Sequence, residues 1–319
     1  MTSSHWFRLA VLPLLLYVAL QPVLAVDVAA MLIGQWSLQE QGNVLLLLFF
    51  ELTRGLRSLI GLALVALLLS RPTVSRAARA LALFLLFGEM AYAMAFSSTG
   101  YAGPVQEWLT GLLLEAGMSR RALVIAFGYP DWALWLALAA LLRFAVQFPT
   151  RLTVTDVEAS GRHDRSGLMR QVPGAGIDIG MLFRHLAQNA LRSGWLEPVA
   201  VWVAAWAAAI LSVLLRGMPW KNLLWLPFVL GVAIAITCLR ASYLNGDADA
   251  RRSLLWITRG ALAACVLFAL AGLAGTAPGP AAEIITFVLL TCAPAALLIG
   301  LGLAVLQRTK SENVVLVGR

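Results

Sequence analysis

Residues Ile284–Leu306 read IITFVLLTCAPAALLIGLGLAVL, an apolar run without a single charged side chain. An α-helix rises about 1.5 Å per residue, so a run of roughly 20 residues matches the ~30 Å hydrocarbon core of a bilayer. Basic residues follow the run at Arg308 and Lys310. The run therefore predicts a transmembrane helix that ends at a membrane surface.

Other long apolar stretches precede this one, and the composition of the whole chain also indicates a membrane protein. Of the 319 residues, 61% are hydrophobic and 13% are charged, whereas a soluble domain is roughly half apolar and a quarter charged. The sequence predicts an all-α integral membrane protein, a single polytopic domain over residues 1–319 with a bundle of about eight transmembrane helices. The predicted spans are Phe7–Val26, Val44–Ser70, Ala80–Ser98, Trp132–Phe148, Leu196–Leu215, Leu223–Leu239, Leu254–Leu273 and Ile284–Leu306.

The first stretch has a second interpretation, because a short apolar run near an N-terminus is also typical of a signal peptide. Arg8 supplies a basic flank, and Val23-Leu24-Ala25 is an acceptable cleavage motif. We favour an uncleaved helix, while cleavage would leave seven helices and an outer N-terminus. The other seven spans keep the same orientation in either case.

The basic residues alternate between the connections and predict the orientation. Sixteen Lys and Arg fall in every second connection or terminus, and four fall in the others. Basic residues concentrate on the cytoplasmic side of a membrane. We therefore expect both termini in the cytoplasm, a location in the bacterial inner membrane, and the lipid bilayer as partner. The net charge of +8 does not indicate nucleic acid binding, because the basic residues flank apolar spans.

Long connections and a short tail lie outside the predicted spans. Residues 150–194 form a cytoplasmic loop with an amphipathic helix, either a surface helix on the inner leaflet or a docking helix for a partner. The outer connection contains a short interfacial helix at Val105–Gly117, and residues 307–319 form a cytoplasmic tail. The apolar face of the loop helix comprises Ile179, Leu182, Phe183, Leu186 and Ala190.

Charged residues inside the spans are candidate functional residues, because a charge in lipid costs at least a few kcal/mol. Arg57 lies roughly 20 Å above Ser70, and Glu89 roughly 15 Å above Arg79, at about 1.5 Å per residue. A short connection joins these two helices, so we predict a buried Arg57–Glu89 ion pair. Arg54 and Glu51 extend it. The pair serves either packing alone or a ligand or proton-coupled site.

Catalysis finds little support in the sequence. The three cysteines, Cys238, Cys265 and Cys292, lie in apolar spans, and the three histidines show no metal-ligand spacing. No glycine-rich phosphate loop or nucleophile motif is present in the sequence. We therefore expect no catalytic residues, no metal and no cofactor.

Residues Arg240–Trp256 read RASYLNGDADARRSLLW, with an acidic stretch between an Arg–Tyr pair and a double arginine. This segment resembles the cytoplasmic hairpin in the multi-pass N-terminal membrane sensory region of bacterial sensor histidine kinases, of the competence and quorum-sensing type. The paired arginines also fit a positive-inside anchor. The residues that carry the resemblance are Arg240, Tyr243, Asp247, Asp249, Arg251, Arg252 and Trp256.

The resemblance implies a non-enzymatic membrane sensory or signalling module without the kinase core, since neither a phosphoacceptor histidine helix nor an ATP-binding domain is recognisable. A separate signalling protein at the cytoplasmic face is then the expected partner. Two other hypotheses remain open. One is a transporter or lipid-handling membrane protein, and the other is a structural subunit of a membrane complex.

Overall fold

The computed structural model describes most of the chain, and every regular element within it is a helix. The described residues are 3–34, 41–70, 74–97, 104–128, 130–149, 151–163, 179–215, 218, 223–276 and 279–317. The helices are α1 (Ser3–Gly34), α2 (Gln41–Leu69), α3 (Arg76–Ser97), α4 (Pro104–Glu115), α5 (Arg120–Gly128), α6 (Pro130–Gln147), α7 (Val154–His163), α8 (Ile179–Arg192), α9 (Pro198–Leu214), α10 (Trp225–Asn245), α11 (Ala248–Ala274) and α12 (Pro280–Val317).

Six of these helices are long and apolar enough to cross a membrane: α1, α2, α3, α10, α11 and α12. The other two predicted spans coincide with α6 and α9, which have 18 and 17 residues. Both lengths lie near the short end of the ~17–25 residues that a spanning helix needs. The all-α membrane bundle predicted from the sequence is therefore confirmed, with six spanning helices among the described residues on the criteria of length and hydropathy.

Helix α6 is enclosed by the bundle and packs against α3, α9 and α10. Its small side chains, such as Ala133, Ala137 and Ala140, are buried and allow neighbouring helices to approach closely. Trp135 of α6 packs edge-on against Phe228 of α10, with ring centroids 5.5 Å apart. This enclosed position explains why α6 carries less lipid-facing apolar surface than the helices around it.

Helices α11 and α12 form a hairpin with a seam of small residues. A Cβ added at Gly300 would lie 2.6 Å from the Trp256 carbonyl oxygen and 3.0 Å from the Gly260 Cα atom. Both glycines are therefore required for the contact between the two backbones. In the absence of a hydrophobic driving force inside lipid, such close packing is a main source of helix association.

Two connections differ from the sequence interpretation. Residues 154–163, in the part of the predicted loop that precedes its amphipathic helix, form a further helix, α7, which packs against α8 and α10. Thr153 and Asp156 explain this helix, because the Thr153 amide donates to Asp156 Oδ2 at 2.8 Å and the Asp156 amide to Thr153 Oγ1 at 3.3 Å. This reciprocal cap satisfies amides that an uncapped helix would leave unpaired. Helix α12 continues to Val317, so most of the expected tail is helical; residues 307–317 contain no Pro or Gly that would end the helix before Gly318.

Helices are present where the sequence predicts the amphipathic loop helix and the outer interfacial helix, as α8 and α4. Ala187 of α8 is fully buried, whereas Leu182 remains 48% exposed to the surroundings of the protein. Trp108 of α4 is likewise 65% exposed. Residues 164–178 of the predicted cytoplasmic loop lie outside the described residues. The exposed apolar side chains of both helices suit a position at the membrane surface.

Candidate functional site

The ion pair that the sequence predicts between the second and third spans is present. Nε of Arg57 on α2 lies 3.1 Å from Oε1 of Glu89 on α3. The Arg57 side chain is 6% exposed and that of Glu89 is 1% exposed. Both charges are therefore enclosed by protein, where each would be costly without the other.

Neighbouring residues on α2 and α3 hold this pair in position. Tyr92, one turn after Glu89, places its ring 3.5 Å from the Arg57 Cζ atom, a cation–π contact. Gly61, one turn after Arg57, leaves room for the carboxylate, since a Cβ there would lie 3.0 Å from the Glu89 Cγ atom. Residues three or four apart share a helix face. Helix α2 therefore contributes Arg57 and Gly61 to the ion pair and its surroundings, and α3 contributes Glu89 and Tyr92.

Arg54 and Glu51 form a second buried pair one turn toward the N-terminal end of α2. Nη2 of Arg54 lies 2.6 Å from Oε2 of Glu51, and both side chains are about 95% buried, with exposures of 5% and 6%. The Arg54 charge also interacts with Tyr17 of α1. Helix α1 can approach here because a Cβ at Gly55 would already be 3.1 Å from that of Ala25. Together the two pairs place two positive and two negative charges on this part of the bundle.

The Arg57–Glu89 pair does not use all of its hydrogen-bonding groups. Nη1 of Arg57 and Oε2 of Glu89 are buried and have no hydrogen-bond partner among the described residues. A buried polar group without a partner costs roughly 1–3 kcal/mol, and more when it is charged. Ser58 of α2 also hydrogen-bonds to the Glu89 carboxylate, so among the described residues the pair keeps one donor atom and one acceptor atom without a partner.

Arg57 and Glu89 line a cavity of about 560 Å³, here called the ion-pair cavity. Apart from Asp131 and these two residues, its walls are largely apolar and come from α3, α6, α10 and α12. The first residues of α6 and α10 reach it, which places it toward the bundle end opposite the start of α3. The wall residues include Phe84, Gly88, Leu134, Leu141, Phe228, Val232, Pro294 and Leu297.

The hairpin residues that carry the sensor-kinase resemblance are found elsewhere, at the turn between α10 and α11. Asp247 caps α11, because its side chain accepts the Ala250 amide at 2.7 Å. Arg251 donates to the Leu244 carbonyl at 3.3 Å and so closes the turn. The Trp256 ring lies 5.3 Å from the Arg259 Cζ atom. These residues line neither the ion-pair cavity nor a smaller cavity, of about 260 Å³, at the opposite bundle end. Arg240, Tyr243, Asp249 and Arg252 complete the segment.

Sequence reasoning missed Tyr92, Gly61 and the cavity. Tyr92 could have been found from its position three residues after Glu89 on one helix face. The cavity could not, because its walls come from helices that are distant along the chain, and the sequence does not say which of them are neighbours. Asp131, interpreted from the sequence as a helix N-terminal residue, occupies the first turn of α6 and also lines the cavity.

The sequence matches no protein-family model, and comparisons with curated proteins and with solved structures found no match either. Within the described ranges, no three His, Cys, Asp or Glu side chains come together as a metal site. The functional argument therefore rests on the ion-pair cavity and its chemistry.

Proposed function

We propose that this protein is a non-enzymatic sensory module of the bacterial inner membrane, and that the ion-pair cavity receives its signal. One observation carries the proposal: an apolar cavity of about 560 Å³ within a membrane bundle borders a buried ion pair that keeps a free donor and a free acceptor. Binding sites for small molecules typically combine an apolar lining with a few placed polar groups.

The cavity chemistry suits an amphiphile with an uncharged polar head. Arg57 and Glu89 cancel each other's charge, so a charged head group beside them would bring an unbalanced charge into the membrane interior, whereas Asp131 lies at the end of α6, in its first turn. Both atoms are buried in this packing of the bundle, so a neutral amide or hydroxyl group would accept a hydrogen bond from Arg57 Nη1 and donate one to Glu89 Oε2 only in a second packing that exposes them. Its hydrocarbon part would be covered by the apolar walls.

The signal would be transmitted by helix packing. A ligand can shift a protein between two conformations only if it binds one of them more tightly. The cavity is suited to this, because it touches helices that also extend to the opposite bundle end, among them α3, α6 and α12. A separate signalling protein at the cytoplasmic face would then respond to their movement.

The same cavity favours a second candidate function, a lipid-handling or transport protein. Its apolar walls suit an acyl chain as well as they suit a signalling amphiphile. The two functions differ in the accompanying proteins, since a transporter assembles with a transport ATPase or an envelope-assembly enzyme rather than with a kinase.

The first experiment is a pull-down of the tagged protein from its native membrane in mild detergent, followed by mass spectrometry of the accompanying proteins. Two variants are compared with the wild type. Gly88→Leu places a side chain in the cavity, where an added Cβ meets no atom within 4 Å. Gly272→Leu on α11 is the matched control, because a Cβ there also meets nothing within 4 Å and the residue does not line the cavity.

We expect a kinase or another signalling protein to accompany the wild type and the Gly272→Leu variant. The amount of that protein should change at least about twofold in Gly88→Leu, since filling the cavity favours one packing of the bundle. A transport ATPase in place of the signalling protein would retire the sensory proposal in favour of lipid handling. If the signalling protein is recovered in equal amounts with the wild type and both variants, the cavity is not the site that receives the signal.

A further inference from the structure

A second cavity, of about 260 Å³, lies at the opposite end of the bundle and is here called the arginine cavity. It is bordered by the start of α3, the end of α6, the chain leading into α7 and the start of α9. Three arginines line it, Arg76, Arg143 and Arg151, together with one carboxylate, that of Glu197. Three positive charges and one negative charge leave this cavity with a formal charge of plus two.

Arg143 lies close enough to both other arginines for their charges to interact. The charge of Arg143 is coupled to those of Glu197, Arg151 and Arg76. Glu197 is shared, because its Oε1 lies 3.3 Å from Arg151 Nη2. Arg76 has no ion-pair partner among the described residues. Like charges held together in this way repel one another, so a bound anion would stabilise the arrangement.

Arg143 is held in place by groups that leave the charge of the cavity unchanged. Its Nη1 donates to the Leu196 carbonyl at 2.5 Å. The Gln147 side-chain amide adopts the orientation that its hydrogen-bonding neighbours favour. The amide oxygen then accepts a hydrogen bond from Arg143 Nη2, and the amide nitrogen donates one to the Arg76 carbonyl at 3.1 Å. One guanidinium is therefore fixed at the cavity wall, whereas Arg76 and Arg151 are exposed at its border.

Two helix N-termini add to the positive potential. Helix α3 begins at Arg76, where Ser75 Oγ accepts the Ala78 amide at 3.1 Å, and α9 begins at Pro198 without a side-chain cap. Both helix starts line the cavity. The N-terminus of a helix carries a partial positive charge that favours anions. Arginine side chains and helix N-termini thus contribute positive potential to the same space.

We propose that the arginine cavity is a binding site for a phosphate group. The planar guanidinium fork of arginine matches the geometry of phosphate oxygens and binds them through paired hydrogen bonds. A cavity of about 260 Å³ holds a phosphate group, being far larger than the ~30 Å³ that one water molecule occupies. The cavity lies where α3, α6 and α9 begin or end, at the level of the lipid head groups. The phosphate therefore belongs either to an anionic phospholipid or to a soluble phosphate compound.

The test uses the full-length protein purified in mild detergent and exchanged into a neutral one. Binding is followed by native mass spectrometry and by the thermal unfolding temperature. One arm adds phosphatidylglycerol or, for comparison, zwitterionic phosphatidylcholine. The other arm adds millimolar inorganic phosphate or pyrophosphate, with chloride salt adjusted to keep the ionic strength constant. The variant is Arg76→Gln with Arg151→Gln, and the control is Arg252→Gln, an exposed arginine that does not line the cavity.

We expect the double variant to bind the phosphate-bearing probe roughly tenfold or more weakly, and the control to bind it as the wild type does. Preference for phosphatidylglycerol over phosphatidylcholine identifies a lipid head group as the source. Stabilisation by phosphate or pyrophosphate identifies a soluble ligand instead. Equal weakening in Arg252→Gln, or no response to either probe in the wild type, overturns the proposal. The thermal unfolding temperature without any probe shows whether each variant is folded.

Discussion

Beside the ion-pair cavity, Arg57 pairs with Glu89, and one turn along α2 Arg54 pairs with Glu51, so the charges within these two pairs cancel. At the arginine cavity, three guanidinium groups line the same space as one carboxylate, that of Glu197. The first group of charges is almost fully buried, whereas Arg151 and Glu197 are 74% and 59% exposed. The two ends of one bundle therefore hold charge under different physical conditions.

The difference follows from the dielectric surroundings of each cavity. Inside a membrane protein, an unbalanced charge loses its hydration and gains nothing from water, so opposite charges must be supplied by the bundle itself. At the membrane surface, water and salt screen a surplus of like charges over about 10 Å at ordinary ionic strength. The ion-pair cavity is thus expected to be sensitive to any single charge change, and the arginine cavity to be tolerant.

The largest expected effect comes from removing one member of the buried pair. Glu89→Leu leaves Arg57 without its counter-charge and should lower the free energy of unfolding by about 3–5 kcal/mol. The double variant, Arg57→Met with Glu89→Leu, should recover most of this loss because no isolated charge remains. Thermal and denaturant unfolding in detergent measures both.

Arg259→Met on α11 serves as the control for that comparison, since Arg259 is exposed and its guanidinium lies beside the Trp256 ring. Arg259→Met should lower the free energy of unfolding far less than Glu89→Leu does. The charge swap, Arg57→Glu with Glu89→Arg, gives an independent check on the same pair. A double or swapped variant no more stable than either single change would contradict the coupling.

A smaller effect is expected when the space for the carboxylate is filled. Gly61→Leu forces its side chain against Glu89, whose Cγ atom lies 3.0 Å from the position of an added Cβ. Overpacking of this kind costs about 1–3 kcal/mol. Gly88→Ala on α3 is the control, because a Cβ there meets no atom within 4 Å. Unfolding measurements that rank the two variants equally would show that Gly61 does not shape the site.

The smallest effect belongs to the arginine cavity. Arg151→Gln removes an exposed ion pair, which is typically worth less than about 1 kcal/mol, and at the same time relieves repulsion with Arg143. We expect the unfolding temperature of Arg151→Gln to stay close to that of the wild type. As the salt concentration is lowered, the unfolding temperature of the variant should rise relative to that of the wild type, because charge repulsion is then screened less. A loss of stability as large as that of Glu89→Leu would contradict the expected difference between the two cavities.

Much of the ion pair was predictable, because depth along a spanning helix follows from counting residues at 1.5 Å each. The short connection between α2 and α3 made them neighbours, so Arg57 and Glu89 had to meet at similar depth. The arginine cavity was not predictable in this way. Arg76, Arg143 and Arg151 lie in three different parts of the chain, and the positive-inside pattern explains each of them separately without implying that they converge.

The sequence by itself determined the membrane bundle and the approximate position of its spans, because apolar length and basic flanks are local properties of the chain. It also determined that Arg57 needed a buried partner. Only the tertiary structure decided which helices enclose α6, where α7 forms, and that α3, α6, α10 and α12 leave a cavity beside the Arg57–Glu89 pair. The reason is that lateral packing inside a bilayer depends on the fit between small side chains and on close backbone approach, as at Gly260 and Gly300. The hydropathy of a span does not record that fit.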